Sequence, residues 1–259
     1  MTGSPSRERR YRRTHSVTML EPEEAYPMKI PGIIGGVGPE STIDYYRTII
    51  NLYREKYDPD GYPEIVIASI NMTRMLAMIE AADMAGLVKY LLHGFARLKA
   101  AGADFGAIAS NTPHVVFGEI LERSPLPLIS IVDATTASAA SAGIKSAALL
   151  GTAFTMRNDF YRIAFERKGI KLHVPNADEQ TYIHRRIFDE LEFGVVKSET
   201  RAGFDAIIDR MLGDCGIEGV ILGCTELPLL FAEPAGPGGL PFFNTARIHI
   251  EEIVATMAR

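Results

Sequence analysis

A chain of 259 residues, 47% apolar and 23% charged, has the make-up of an ordinary folded protein with length for one large or two medium α/β domains. Its net charge of −5 gives no reason to expect nucleic acid, its apolar runs are too short to span a bilayer, and its six His lack the close pairings that suggest a metal. The two cysteines, Cys215 and Cys224, form neither a disulfide framework nor a CxxC pattern, so a reducing cytoplasm is the expected compartment.

Residues 1–28 carry Arg7, Arg9, Arg10, Arg12 and Arg13 among Ser and Thr, with no apolar signal core. Glu8, Glu21, Glu23 and Glu24 argue against a transit peptide. This stretch is expected to be a disordered tail or an over-called start, with Met19 and Met28 as alternative starts, and is set aside from the fold. From Lys29 the pattern is strand, Gly-rich turn, helix, repeated. Strand Ile30–Ile34 runs through Gly35-Gly36-Val37-Gly38-Pro39 into a helix ending near Lys56. Strand Ile65–Ile70 follows, then a helix over Asp83–Ala100 with Leu87, Leu91, Phe95 and Leu98 at helical spacing. Strands Phe105–Ala109 and Leu128–Ile131 complete the first half. Ala134–Gly143, rich in Ala, Ser and Thr, marks the crossing to the second.

There the predicted order is strand Ser146–Leu150, helix Asn158–Lys168, strand Lys171–Val174, helices Glu179–Phe193 and Glu199–Gly213, and strand Gly219–Leu222. After the Pro- and Gly-rich Ala232–Gly239, the segment from Pro241 and a helix from Thr245 are expected to return to the first half. The domains are therefore 29–133 plus 241–259, and 134–240. Strands alternating with helices imply parallel sheets with right-handed crossovers, and functional groups at the carboxyl ends of the strands. Gly35-Gly36, Asn71, Ser110, Thr152 and Cys224 all fall there.

Three landmarks recur at nearly one offset, which marks an internal repeat. Gly35 answers to Gly151 at 116 residues, Tyr46-Arg47 to Tyr161-Arg162 at 115, and Ser110 to Cys224 at 114. If the halves face each other, Ser110 and Cys224 approach one cleft from opposite sides, which suits moving a proton on or off a carbon from either face. A cysteine in a strand is commonly an inert small hydrophobe. Cys224, however, ends a strand where a helix begins, and helix-start N–H groups favour thiolate. Ser110 reads equally as a helix N-cap, because its hydroxyl can accept orphan N–H bonds. Gly-x-Ser-x-Gly is absent, so a hydrolase nucleophile is not favoured.

The Gly35-Gly36-Val37-Gly38 turn lacks the third glycine of a dinucleotide loop; a nest of N–H groups for a carboxylate, helped by Ser41 and Thr42, is the better use. Arg74 and Lys197 are candidates to pair with substrate carboxylates, against the bland reading of solvated surface charges.

Over residues 30–259 these segments resemble the aspartate/glutamate racemase family of the Asp/Glu/hydantoin racemase superfamily. The carriers are Ile33 to Thr42 with Tyr45-Tyr46, Ser110-Asn111-Thr112-Pro113-His114, Leu150-Gly151-Thr152 with Thr155-Met156, Gly223-Cys224-Thr225-Glu226-Leu227-Pro228, and Asn244-Thr245-Ala246-Arg247-Ile248-His249. The resemblance implies two pseudosymmetric αβα domains with the active site between them, commonly in a homodimer. It also implies racemisation of aspartate or glutamate without pyridoxal phosphate, metal or other cofactor, by two opposed cysteines. By motif position, Asn111, Thr112, Thr152 and Thr225 would hold the substrate carboxylate and stabilise the developing carbanion. Two departures stand out: Ser110 replaces the first cysteine, and Asn244-Thr245-Ala246 replaces Asp-Thr-Thr. Serine is a far poorer base than a thiol, so the two directions become chemically unequal. That departure keeps open two alternatives, a single-cysteine enzyme like arylmalonate decarboxylase and a non-catalytic amino-acid or dicarboxylate binding protein.

Overall fold

The computed structural model describes residues 28–259 apart from 232 and 234. The expectation for residues 1–28 therefore lies, but for Met28, outside the described residues. The first half runs β1 (Pro31–Gly35), α1 (Pro39–Lys56), β2 (Val66–Ser69), α2 (Met72–Glu80), α3 (Met84–Ala100), β3 (Phe105–Ile108), α4 (Phe117–Arg123), β4 (Leu128–Ile129) and α5 (Ile131–Ser141). The second runs β5 (Ser146–Leu150), α6 (Ala153–Arg157), α7 (Phe160–Glu166), β6 (Lys171–His173), α8 (Ala177–Asp189), α9 (Ser198–Cys215), β7 (Val220–Leu222), α10 (Leu227–Leu230), β8 (Phe242–Asn244) and α11 (Thr245–Met257). The two sheets have the same order, β2-β1-β3-β4 and β6-β5-β7-β8, with every pairing parallel. No helix among the described residues is long and apolar enough to cross a membrane.

Parallel strands covered on both faces must be apolar throughout, and the alternation of their side chains assigns each residue to one layer. In β1, Ile33 packs with Tyr45, Ile49 and the α11 residues Ile250, Ile253 and Val254; its neighbour Ile34 packs on the opposite face with Leu87, Leu91 and Phe95 of α3. In the second sheet Leu149 and Ile221 face Tyr161 and Phe165, whereas Leu150 and Leu222 face Ile183, Ile187, Phe204 and Ile208.

The crossing Ala134–Gly143 is made by most of helix α5. Alanine favours a helix, Ser130 caps its first turn by accepting from the Asp133 N–H, and Thr135 and Thr136 donate their hydroxyls to Ile131 O and Val132 O at 2.7 Å. Its residues Ile131, Val132 and Ala139 belong to the core of the second half. The expected assignment of 241–259 to the first half divides in the structure. Phe242–Asn244 pairs with β7 in the second sheet, and α11 crosses back to the first core. Helices α5 and α11 also pack on each other, so each half is completed by a helix that follows the other half's last strand. The sequence reading missed α2, whose Met72, Met75, Leu76 and Ile79 have helical spacing and whose cap Asn71 accepts from the Arg74 N–H.

Gly36 turns the chain out of β1 with φ +80°, a conformation that costs an L-residue about 1–2 kcal/mol. A Cβ there would run into Ser69 Oγ and Ile70 O. Gly36→Ala is expected to destabilise the fold by about 2 kcal/mol or more, read as a lowered midpoint in urea unfolding with unchanged slope.

Candidate active site

Ser110 and Cys224 each lie two residues past the end of equivalent interior strands, β3 and β7, and both line one small cavity of about 70 Å³ between the halves. Each is buried, at 8% exposure, yet reaches the cavity wall. Gly223 permits this placement for the thiol. A Cβ at Gly223 would press on Leu149 and on Leu150 O, so the chain leaving β7 passes against β5 only because that position has no side chain.

The thiol of Cys224 donates to Glu226 Oε2 at 2.9 Å, and the Thr225 hydroxyl donates to the same oxygen at 2.9 Å. Burial drives the Cys224 pKa well above its ordinary value, and the Glu226 carboxylate adds to the rise. This corrects the expected helix-start thiolate. The helix α10 begins only at Leu227, and the Glu226 backbone N–H lowers the pKa too weakly to offset the carboxylate beside it. Glu192 also lines the cavity, and its own pKa is raised by burial and by Glu226. Neither glutamate was singled out from the sequence. Glu226 was visible as the last residue of Gly-Cys-Thr-Glu, but Glu192 reaches the cavity only through folding. Glu226→Gln removes the nearby charge, so the midpoint of the pH profile for iodoacetamide alkylation of Cys224 is expected to move to lower pH.

Asn111, Thr112, Thr152 and Thr225 all line this cavity. Asn111 is buried and held from two sides: the Tyr161 hydroxyl of the other half donates to its Oδ1 at 2.6 Å, and its Nδ2 donates to Thr245 Oγ1, at the start of α11, at 3.2 Å. Thr245 in turn donates to Leu222 O at 2.9 Å. Thr152 caps α6 and accepts from the Thr155 N–H. Tyr161 and Thr245 thus tie the two halves together behind the cavity. The buried counterpart of Tyr161 is Tyr45, not the half-exposed Tyr46 that the repeat in sequence suggested. Tyr45 hydrogen-bonds His249 Nδ1 at 2.9 Å, while the nearby His114 takes the Ile131 N–H on Nε2. Burial holds both imidazoles uncharged, with pKa values lowered to about 4 and about 3.

The remaining candidates are not brought to the cavity. The Gly36 N–H is taken by Thr42 Oγ1 at 2.8 Å, and Ser41 donates to Ala109 O at 3.0 Å and lines the hollow described below, whereas Val37 and Gly38 of the same turn line the small cavity. Arg74 is exposed and lies over the Tyr90 ring, 4.8 Å from its centre. Lys197 pairs at 3.2 Å with Glu190, a buried carboxylate that also takes Arg186 and the Thr200 hydroxyl. This network holds the Glu190 pKa down to about 2, mainly through Thr200. Cys215 is the last residue of α9, away from the cavity. Among the described residues no group of three or more His, Cys, Asp or Glu is placed to hold a metal.

A second hollow, about 520 Å³, opens outside the first and shares Glu192, Thr225 and Glu226 with it. The two spaces therefore adjoin along Glu192, Thr225 and Glu226.

Comparison with known proteins agrees with this arrangement. The family model described as Asp/Glu/Hydantoin racemase matches residues 34–253. The chain is 31% identical over 141 residues to the broad specificity amino-acid racemase RacX of Bacillus subtilis (strain 168), an alignment covering 53% of this chain and 61% of that protein. The crystal structure of an aspartate racemase homologue from Pyrococcus horikoshii OT3 superposes with a TM-score of 0.78 at 38% identity, covering 90% of this chain and 100% of that one. Glutamate racemase from Francisella tularensis, in complex with D-glutamate, shares the fold at 15% identity, with a TM-score of 0.62 and coverage of 88% and 80%. With two parallel four-stranded sheets flanking a cleft and a family match over most of its length, this chain belongs to the Asp/Glu/hydantoin racemase family.

Proposed function

We propose that this protein is an amino-acid racemase that moves a proton at Cα without a cofactor, with Cys224 and Ser110 on opposite faces of the substrate. The observation that carries the reading is that equivalent ends of β3 and β7 bring these two side chains to one small cavity lined by Asn111, Thr112, Thr152 and Thr225. Asn111 keeps a second Nδ2–H and Thr112 a hydroxyl for the carboxylate, where charge builds as the Cα proton leaves, and Thr152 and Thr225 would add theirs by turning from Thr155 and Glu226. Cys224 rests as a thiol. To act as base it first passes its proton to Glu226, 2.9 Å away, and the thiolate then takes the Cα proton. To act as acid it simply donates. Among the described residues the Ser110 hydroxyl has no hydrogen bond to a carboxylate, and it returns a proton to the opposite face slowly.

The equilibrium between enantiomers is unity, so kcat/KM must be equal in the two directions. The inequality of the two groups therefore surfaces in isotope exchange. For the enantiomer whose Cα–H faces Cys224, solvent deuterium enters with retention faster than the centre inverts. The test is NMR detection of Cα deuterium incorporation into both enantiomers of a panel that includes aspartate and glutamate, the acids for which the family is named. Exchange biased to one enantiomer supports the mechanism; no exchange in any amino acid would overturn it and leave a binding protein or a decarboxylase-like enzyme.

A further inference from the structure

Resting on that racemase reading, we propose that the preferred substrate carries a long cationic side chain instead of a carboxylate. The inner cavity, about 70 Å³, has room for the reacting carbon and its carboxylate but little more. Glu192, Thr225 and Glu226 line both spaces, so the side chain leaves past them into the 520 Å³ mouth. Acidic groups dominate that path. The inner cavity contains Glu192 and Glu226 and no Lys or Arg, and the mouth adds Glu40 and Asp44.

The one cation lining either space, Arg47, pairs with Asp44 at 3.0 Å. Among the described residues no Lys or Arg forms an ion pair with Glu40, Glu192 or Glu226. The cations that a dicarboxylate would need are committed elsewhere, Arg74 over Tyr90 and Lys197 on Glu190. An amino acid's own ammonium neutralises one carboxylate, and the others stay unmatched. A second carboxylate on the substrate meets like charge there, whereas a cation meets partners.

The rest of the mouth suits the stem of such a side chain. Leu191, Phe193, Pro228 and Leu229 form an apolar wall, with Phe193 75% and Leu229 51% exposed. Lysine and arginine lay their methylenes on such surfaces and keep the charged head near carboxylates or an aromatic face. The raised pKa of Glu192, caused in part by Glu226, is the electrostatic strain that a bound cation relieves.

The experiment compares kcat/KM for Cα deuterium exchange across lysine, ornithine, arginine, norleucine, glutamate and aspartate, for the wild type and for Glu40→Gln and Glu192→Gln. The expected result is a preference of tenfold or more for the cationic amino acids over glutamate, weakened by added salt. Either substitution should lower the ratio of lysine to norleucine exchange. Glutamate or aspartate exchanging as fast as lysine would overturn the preference while leaving the racemase reading intact. If nothing exchanges, the racemase reading falls, and calorimetric titration still decides the charge preference. Lysine binding more tightly than glutamate supports it, and glutamate binding at least as tightly, or lysine not binding, refutes it.

Discussion

Cys224→Ser is expected to reduce Cα deuterium exchange by about three orders of magnitude or more while leaving the fold in place. The replacement keeps the size of the side chain and its hydrogen bond to Glu226, so melting temperature and circular dichroism should stay near wild type. What changes is how readily the side chain becomes an anion. The thiol, even with its pKa raised by burial and by Glu226, still gives up its proton to become the basic anion far more readily than a serine hydroxyl, and a positioned acid or base contributes about 10²–10⁴-fold to rate. The same pKa rise fixes the pH dependence. Proton transfer to Glu226 carries exchange at neutral pH, and as pH increases thiolate formed by loss of the proton to solvent adds to it, so exchange should rise further through the alkaline range. Exchange retained at the wild-type rate in Cys224→Ser would remove this residue from the mechanism.

Ser110→Cys should act in the opposite sense, raising the rate of inversion by about 10- to 100-fold, because a thiol replaces a hydroxyl on the weaker face of the substrate. Ser110 lines the same cavity as Cys224 at the equivalent strand end, so a cysteine there would line the cavity from the other half. The diagnostic is the ratio of deuterium exchange to inversion. In the wild type it is expected to be large for one enantiomer; in Ser110→Cys it should approach one for both. An unchanged ratio would mean that the second proton comes from another group or from water. The two variants also separate cleanly from folding effects, since one should lose activity and the other gain it.

Much of this architecture was legible in the sequence because the chain repeats itself. Gly35 with Gly151 and Ser110 with Cys224 mark the ends of equivalent strands, and Ser146–Leu150 is a strand with the bounds read from sequence. The alternation of strands and helices was enough to expect parallel sheets. The reading failed where local composition and tertiary role diverge. Ala134–Gly143 has the small polar residues of a linker, yet its threonines satisfy their hydroxyls on the preceding turn and its apolar residues fill a core contributed by distant segments. Tyr46 next to Arg47 matched Tyr161-Arg162 as letters, whereas burial selects Tyr45.

The site divides in the same way. Cys224, Ser110, Asn111, Thr112, Thr152 and Thr225 were readable because each sits at or beside a strand end. Arg74 and Lys197 were read from charge alone, and charge alone does not say which partner wins; Tyr90 and Glu190 take them. Glu192 belongs to a turn 32 residues before Cys224 in sequence, and no local pattern links the two.

The exchange of α5 and α11 between the halves has a mechanical consequence. Cutting the chain near 142–145 would yield fragments that each carry a helix fitted to the other's core and lack the helix fitted to their own, so neither would bury its sheet unaided. The pair also acts as a clasp at the back of the molecule. Swinging the halves apart would pull α5 from α11 and break the bonds from Tyr161 and Thr245 to Asn111. Access to the cavity is therefore expected from the side bearing Glu192, Phe193 and Leu229, which line the hollow beside it, and not from hinge opening of the halves.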